Sequence, residues 1–274
     1  MLDWVIGIVC SLVIAAAAYA KRSLSASGTA AAVIVGTVMY VFGSLSWFGT
    51  LIVFFITSSL LSKWKQRRKA AVEQHYAKSG RRDAGQVLAN GGIGMLLCIG
   101  HSLWPHPFWW AAFIGVMATV NADTWATEIG GLSRSMPRSI VNGRKVPAGT
   151  SGGITWLGLT ASLAGGIVIS VSAWALLQLQ RAPEAVQANE GSLTGLVLLG
   201  ALGGMAGSLI DSWLGAVCQV MYRCKVCGRE LEKSRHCDTA AERIRGASVM
   251  TNDAVNLLSS CLGGAVCLIV YRLL

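Results

Sequence analysis

Long runs of apolar residues constrain this chain more than any other feature of its sequence. A helix needs about 20 apolar residues to cross the hydrocarbon core of a bilayer. Hydrophobic residues make up 53% of the chain and charged residues only 13%, about half the charged share of a soluble domain. The pattern predicts an all-α polytopic membrane helix bundle with about eight transmembrane helices, formed as one domain over residues 1–274. The runs lie at 2–20, 29–43, 45–61, 87–104, 108–122, 153–178, 193–221 and 254–273.

Basic residues fall in alternate loops, and this distribution predicts an orientation. Of the 23 Lys and Arg residues, 21 lie in the loops at 21–22, 62–86, 123–151 and 222–252. Cytoplasmic loops of membrane proteins carry an excess of Lys and Arg. We therefore expect a multi-pass protein of the cell (inner) membrane with these loops in the cytoplasm and both termini outside. Because the net charge of +10 is confined to short loops, we expect no nucleic-acid partner.

Four acidic residues stand at the predicted cytoplasmic side of the bundle. Asp123 and Glu128 follow the fifth apolar run. Asp211 lies within the seventh run, and Asp253 opens the eighth. A carboxylate at membrane depth costs several kcal/mol unless it is paired or solvated. Each residue alone is compatible with a salt bridge or a helix cap, but the set favours convergence on one polar cavity. Asp123 and Glu128 come within reach of one metal ion if the helix is unwound between them.

Basic and amide side chains accompany these acids at the helix ends. Arg82, Gln86 and Asn90 are spaced by four residues and form one stripe, which we call the anion stripe. Such a stripe at a helix start can hold an anionic group. Three further polar residues lie at the same predicted level: Asn252, Asn256 and Lys63. The lysine is either a phosphate ligand or an orientation charge.

A loop rich in glycine and hydroxyl groups precedes the sixth apolar run. We call residues 145–153 the glycine loop; its candidate phosphate ligands are Lys145, Gly149, Thr150, Ser151 and Gly152. Backbone N–H groups approach phosphate oxygens closely in such loops, and a helix N-terminus favours an anion. The loop is not a Walker A sequence, and a tight turn is the alternative. Together with acids for Mg²⁺, it favours phosphoryl or nucleotidyl transfer to a lipid.

The last predicted cytoplasmic loop contains a cluster of metal-ligand residue types, namely Cys224, Cys227, His236 and Cys237. These side chains suit tetrahedral Zn²⁺, and a disulfide is disfavoured in the cytoplasm. The adjacent His–Cys pair departs from the usual ligand spacing, so free thiols remain the alternative. With zinc bound, residues 222–246 would form a small structural loop with no open coordination position.

Several segments resemble an integral membrane family that includes the plant phytyl-phosphate kinase of the vitamin E pathway and uncharacterised bacterial and human transmembrane relatives. That family is more distantly similar to phytol and dolichol kinases and to CDP-diacylglycerol synthases. The resemblance covers nearly the whole chain. It rests on the cysteine-rich loop and on SASG at 25–28, SSLLSK at 58–63, RDAGQVLANGG at 82–92, ADTWATEIG at 122–130, GTSGG at 149–153, GSLIDSWLGA at 207–216 and NDAVN at 252–256.

The resemblance implies a membrane-embedded kinase that uses CTP or another NTP to convert an isoprenoid monophosphate to the diphosphate. It implies Mg²⁺ on Asp123 and Glu128, with Asp211 or Asp253 as a further ligand. The glycine loop would hold the nucleotide phosphates, and the anion stripe would hold the acceptor phosphate. The expected partners are therefore a nucleotide and a prenyl phosphate in the membrane.

Two other functions remain open at this point. A transporter or flippase for an anionic lipid or small anion would need inverted repeats and a route to the outside. The sequence has no convincing internal repeat, and its external hairpins are short and nearly uncharged. A structural or assembly protein would explain the cysteine-rich loop but not the acids in the apolar runs.

Overall fold

The computed structural model describes residues 1–66, 78, 80–180 and 192–273, and this part of the chain is mostly helical. Its seven helices are α1 Leu2–Ala20, α2 Ala26–Lys63, α3 Ala84–Leu103, α4 Pro107–Gly130, α5 Trp156–Gln180, α6 Leu193–Val217 and α7 Asn252–Leu273. Six of these described helices, all but α4, are long and apolar enough to cross a membrane. The prediction of an all-α helix bundle is confirmed.

Helix α2 contains two of the predicted runs and reverses between them. Ser44 interrupts its helical backbone with φ of 70° and ψ of −168°. The two ends of α2 nevertheless meet at one residue. The N–H of Ser25 donates to the Arg82 carbonyl at 3.0 Å, and the Arg82 guanidinium donates to Ser59 Oγ at 2.8 Å. A straight helix would separate Ser25 from Ser59 by about 50 Å, so the two arms of α2 are antiparallel.

Helix α4 is the centre of the bundle. Every residue from Trp110 to Ala122 is buried, and the helix packs against α3, α5, α6 and α7. An aromatic cluster closes one end of this core, where the Trp47 and Phe113 rings lie 4.4 Å apart. With the two arms of α2 counted separately, each of the eight predicted runs has a helix. The number of membrane crossings and the placement of the termini remain predictions.

Short strands occupy the loops at one end of the bundle. Strand β1 (Arg138–Ser139) pairs antiparallel with β2 (Gly153–Ile154). The segment between α6 and α7, residues 218–251, forms what we call the β module. Its strands are β3 (Met221–Arg223), β4 (Glu230–Leu231), β5 (Arg235–His236), β6 (Thr239–Ala240) and β7 (Glu242–Arg245). One sheet has the order β4-β3-β7, and β5 pairs with β6 in a separate hairpin.

Candidate functional site

A cavity of about 1180 Å³ opens at the end of the bundle where the basic loops lie. Its walls come from the C-terminal ends of α2, α4 and α6, the N-terminal ends of α3, α5 and α7, the segment after α1, the glycine loop and the β module. The structure brings all four predicted acids to this one cavity: Asp123, Glu128, Asp211 and Asp253. Polar groups from distant parts of the sequence therefore share one space.

Asp123 on α4 and Asp211 on α6 form a pair of neighbouring carboxylates, close enough to interact electrostatically. Ser208 lies one turn before Asp211 and donates to Asp123 Oδ1 at 3.5 Å. Ser259 on α7 donates to Asp211 Oδ2 at 2.8 Å. Two like charges in a partly buried site repel each other. A divalent cation bound to both carboxylates would remove this repulsion.

Glu128 interacts with the end of α2 and with the segment before α3. Its Oε1 accepts a hydrogen bond from Ser62 at 2.5 Å, and its charge attracts Arg82. Helix α4 stays helical to Gly130, so the unwinding that a shared Asp123–Glu128 metal ion requires is absent from this helix. Residues five apart on an intact helix diverge by roughly 140°. The geometry therefore favours Asp123 with Asp211, instead of Asp123 with Glu128, as the cation-binding pair.

Arg82 begins the anion stripe and is held from several sides. Its guanidinium donates to Ser59 and lies over the Phe55 ring, 5.7 Å from the centroid. Burial lowers the pKa of the Arg82 guanidinium while Glu128 opposes that shift, and arginine stays charged at neutral pH. Gln86 and Asn90 line the same cavity. The side-chain oxygen of Gln86 also accepts from the Asp83 N–H, as part of a capping box that starts α3.

The SASG segment positions Arg82. Ser25 caps α2 by accepting from the Gly28 N–H at 3.1 Å. Gly28 packs directly on the backbone of the anion stripe, because a Cβ at this position would overlap the Arg82 carbonyl oxygen and lie 3.0 Å from its carbonyl carbon. Two segments of the family resemblance, SASG and RDAG, are thus one packing unit.

The glycine loop folds against the end of α6. Gly149 and Gly152 have φ values of 85° and 79°, and a Cβ on Gly152 would lie 2.8 Å from the Ser212 carbonyl oxygen. The Thr150 hydroxyl donates to the Pro147 carbonyl at 2.8 Å. Gly149, Thr150, Ser151 and Gly152 all line the cavity.

Two parts of the glycine-loop prediction differ from the structure. The loop does not lead directly into a helix, since β2 intervenes and Thr155 accepts from the Gly158 N–H at the start of α5. The N-terminal end of α5 nevertheless borders the same cavity as the loop, because Thr155 and Gly158 line it. Lys145 is exposed and forms a β-bridge with Arg138, and it is not among the described residues that line the cavity. The bridge to Arg138 holds this end of the loop beside β1.

The remaining predicted residues lie in the cavity wall: Lys63, Asn252 and Asn256. The Lys63 ammonium donates to the Lys21 carbonyl at 2.6 Å, so it ties the end of α2 to the segment after α1. Asp253 forms an ion pair with Lys78 at 2.5 Å, and Lys78 also bonds Asp83 at 2.8 Å. Partial burial lowers the pKa of Lys78, but its hydrogen bonds to Asp253 and Asp83 outweigh that effect and leave the pKa raised.

Two further residues of the cavity wall were not predicted. Gln219 is only 3% exposed and its side-chain oxygen accepts from Ser151 at 3.2 Å. Its Nε2 has no hydrogen-bond partner among the described residues. Glu232 in the β module lines the cavity and interacts electrostatically with Asp211. Gln219 falls inside the predicted run 193–221, but α6 ends at Val217. Glu232 is one of four acids in a loop with more basic residues, so composition gave no signal that singled out either Gln219 or Glu232.

The cysteine-rich loop brings its four candidate ligands together. The ligand atoms of Cys224, Cys227, His236 and Cys237 all lie within 4.8 Å of one another. The N–H of Cys227 and the His236 ring lower the pKa of the Cys224 thiol to about 6, which favours the metal-binding thiolate. Burial and the neighbouring thiols raise the pKa of Cys237 to about 11. Thiols this close do not all ionise together without a cation.

Comparison with known proteins identifies the family. A family model described as "Integral membrane protein DUF92" matches residues 9–264. The chain belongs to this family. It is therefore an integral, multi-pass membrane protein, as the apolar runs predicted.

The relatives span plants, archaea and cyanobacteria. The chain is 33% identical to Protein PGR of Arabidopsis thaliana over 269 residues, which cover 93% of this chain and 91% of that protein. It is 27% identical over 253 residues to an uncharacterized membrane protein of Methanocaldococcus jannaschii, covering 92% and 87% of the two chains. An uncharacterized membrane protein of Synechocystis is 28% identical over 167 residues, 59% of this chain and 64% of that one. No solved structure matches the chain.

Proposed function

We propose that this protein is a membrane-embedded kinase that transfers a phosphoryl group from CTP or another NTP to an isoprenoid (phytyl or prenyl) monophosphate. In this proposal the protein lies in the inner membrane and its cavity opens to the cytoplasm. One observation carries the proposal: a single cavity combines a carboxylate pair, a glycine loop and the anion stripe, and it adjoins an apolar cleft. The family resemblance of the sequence motifs supports the same activity.

The apolar cleft supports a lipid acceptor. This second cavity, of about 60 Å³, lies between α1, α2 and α3 and has apolar walls that include Ile14, Leu51 and Phe54. It shares the whole anion stripe with the polar cavity. A phosphate at Arg82 would therefore have a hydrocarbon-lined space beside it. With room for only a few water-sized groups, the cleft would take the first carbons next to an anionic head, and the rest of a lipid chain would lie outside it.

The carboxylate pair fits Mg²⁺. Its donors are hard oxygens from two different helices, and Mg²⁺ in phosphoryl-transfer sites is held by one or two carboxylates together with phosphate oxygens. The mutual repulsion of Asp123 and Asp211 gives the pair an electrostatic reason to hold a cation. Bound Mg²⁺ would supply neutralisation of the phosphate charge.

The protein's own residues would contribute mainly by positioning. Arg82 would hold an acceptor phosphate and lower its charge, while the glycine loop and Gln219 Nε2 would donate to nucleotide phosphates. An acceptor oxygen would form a bond to the γ-phosphorus as the β–γ bridging P–O bond breaks, and the bond's electrons would leave with the nucleoside diphosphate. The acceptor phosphate is already ionised, so the reaction needs no strong general base.

Turnover tests the proposal directly. The purified protein in lipid nanodiscs, with Mg²⁺, CTP and phytyl or geranylgeranyl phosphate, should produce the prenyl diphosphate and CDP in equal amounts. ATP and GTP in parallel reactions would identify the preferred donor. Absence of nucleotide consumption with every prenyl phosphate would refute the kinase. Uptake of an anionic lipid or small anion into proteoliposomes without nucleotide would favour the transporter instead.

A further inference from the structure

We infer that Cys224, Cys227, His236 and Cys237 bind one Zn²⁺, and that this ion holds the β module so that Glu232 joins the Asp123–Asp211 pair at the cavity. The zinc site stands on its own geometry. The role of Glu232 as a third carboxylate at the cation site rests on the proposed function.

Two ligand separations in the cluster come close to those of tetrahedral zinc. With Zn–S bonds near 2.3 Å and Zn–N bonds near 2.0 Å, neighbouring ligand atoms of a tetrahedral site lie about 3.5–3.8 Å apart. The Cys227 Sγ and His236 Nδ1 atoms are 3.5 Å apart, and the Cys237 Sγ and His236 Nδ1 atoms are 3.2 Å apart. Small adjustments would bring three sulfurs and one nitrogen to bonding distance of a common centre.

The first two ligands lie on a tight knuckle between β3 and β4. The N–H of Cys224 donates to the Arg229 carbonyl at 2.9 Å, and the N–H of Gly228 donates to the Cys224 carbonyl at 2.9 Å. Gly228, directly after the second cysteine, has φ of 71°. This turn folds the chain back so that both thiols lie on the same side.

The other two ligands are adjacent in sequence, and the backbone explains how both reach one centre. Side chains of neighbouring residues on a strand point to opposite faces. Here Cys237 and Asp238 have φ of 49° and 56°, the left-handed pair that a two-residue β5–β6 turn of type I′ requires. Leaving the strand conformation at Cys237 brings its thiol beside the His236 ring. Neither residue is the glycine that such turns favour, and a non-glycine residue in this conformation costs free energy. At Cys237 that cost accompanies a side chain that can bind metal.

A metal ion at this position would join two parts of the β module that share no strand pairing. The β4-β3-β7 sheet carries Cys224 and Cys227, whereas the β5–β6 hairpin carries His236 and Cys237. Glu232 lies in the short connection between them, immediately after β4. A zinc ion bound to both parts would fix the conformation of this connection.

The other end of the β module is anchored by the protein alone. The Arg245 guanidinium donates to the carbonyls of Gly215 and Ala216 at the end of α6. The N–H of Val220 donates to the Met250 carbonyl at 2.9 Å. Glu232 lies close enough to Asp211 to be repelled by it. Keeping these two carboxylates close together costs free energy, and the binding free energy of a structural zinc ion can offset part of such a cost.

Metal analysis tests the site without reference to activity. The full-length protein, purified in detergent without chelators and supplied with Zn²⁺, should contain one equivalent of zinc by plasma mass spectrometry. Cys227→Ser and Cys237→Ser should each lose most of it, whereas Cys227→His should retain it. The matched control is Cys261→Ser, which alters an exposed cysteine on α7 outside the cluster. Cobalt substitution should give the thiolate charge-transfer and tetrahedral d–d absorption bands. Protein that stays zinc-free after supplementation would overturn the inference.

Manganese binding, read by electron paramagnetic resonance, tests the positioning of Glu232. Glu232→Gln should weaken Mn²⁺ binding by about tenfold, in the range seen for changes around a metal's ligands. Cys227→Ser should weaken it by a similar factor, and the double variant should be no weaker than either single variant. Unchanged Mn²⁺ affinity in zinc-free but folded Cys227→Ser protein would overturn the link between zinc and Glu232. Absence of kinase turnover in the wild-type protein would refute the proposed function and leave the zinc result standing.

Discussion

Gly28→Ala tests the idea that packing between two helix starts positions the anion stripe. The added Cβ would overlap the Arg82 carbonyl oxygen. The Cβ is fixed to the backbone of α2 and the oxygen belongs to the backbone of Arg82. One of these two backbone segments must therefore move by on the order of 1 Å to restore normal contact. Overpacking of this kind costs about 1–3 kcal/mol. Alanine regains up to about 1 kcal/mol of helix propensity over glycine. The net expectation is a loss of about 1–2 kcal/mol of stability, with Arg82 displaced from Ser59.

The assay separates stability from positioning. Thermal unfolding in detergent should show a lower midpoint for Gly28→Ala than for wild type. The KM for the prenyl phosphate should rise about tenfold, the equivalent of 1.4 kcal/mol, while the KM for the nucleotide stays near the wild-type value. Gly92→Ala is the matched control, because a Cβ on this α3 glycine meets no atom within 4 Å. Equal unfolding midpoints and equal acceptor KM values for the two variants would refute the packing argument.

Four further predictions concern the cavity and the fold. Asp123→Asn and Asp211→Asn should each lower turnover by about 10²-fold or more without changing zinc content. The control Asp3→Asn, at the far end of α1, should leave turnover unchanged. Near-normal turnover in the Asp123 or the Asp211 variant would remove that residue from the cation site. Gln219→Leu should raise the KM for the nucleotide with little effect on the KM for the acceptor. The reverse pattern would place Gln219 beside the acceptor phosphate and contradict its assignment to the nucleotide. Burial raises the pKa of Asp83, but hydrogen bonds from Lys78 and the Gln86 N–H outweigh it and leave the pKa lowered. The stability that Asp83 contributes is therefore complete above its unfolded pKa of about 3.9 and is lost as pH falls through the lower folded value. The variant Asp83→Asn, which can still cap α3, should lose less stability in acid than wild type. Equal acid sensitivity of the two proteins would count against the pairing of Asp83 with Lys78. Ser44→Gly should raise the unfolding midpoint, by about 1 kcal/mol of stability, because Ser44 occupies a backbone region that favours glycine; a lower midpoint would show that the hydrogen bond between Gln180 and the Ser44 hydroxyl matters more.

The sequence predicted the helices well because each apolar run reports one local property, the preference of a segment for lipid or for a buried core. It also predicted that acids on different helices would line one space, since Asp123 and Asp253 stand at the predicted cytoplasmic ends of apolar runs and Asp211 lies within one. Both predictions depend on patterns within a single segment or on the alternation of loops. Neither requires knowledge of how the helices pack.

Properties that depend on packing could not be predicted in this way. The geometry favours Asp123 with Asp211 over Asp123 with Glu128 as the cation-binding pair, because α4 remains helical to Gly130 and α6 packs beside it. Lys145 is exposed and outside the cavity wall, where its backbone forms a β-bridge with Arg138. Gln219 lies within an apolar run in the sequence, and only the end of α6 at Val217 places it in the cavity wall.

The central position of α4 has a consequence for how the protein is made. Its apolar stretch is completely enclosed by other helices, and it is the one described helix whose composition does not suit an independent membrane crossing. Three of its packing partners, α5, α6 and α7, follow it in the chain and are therefore synthesised later. A nascent chain that ends after α4 would lack the partners that shield its polar end from lipid. We therefore expect stable insertion of this helix to wait for the C-terminal half of the protein, with bundle assembly late in translation.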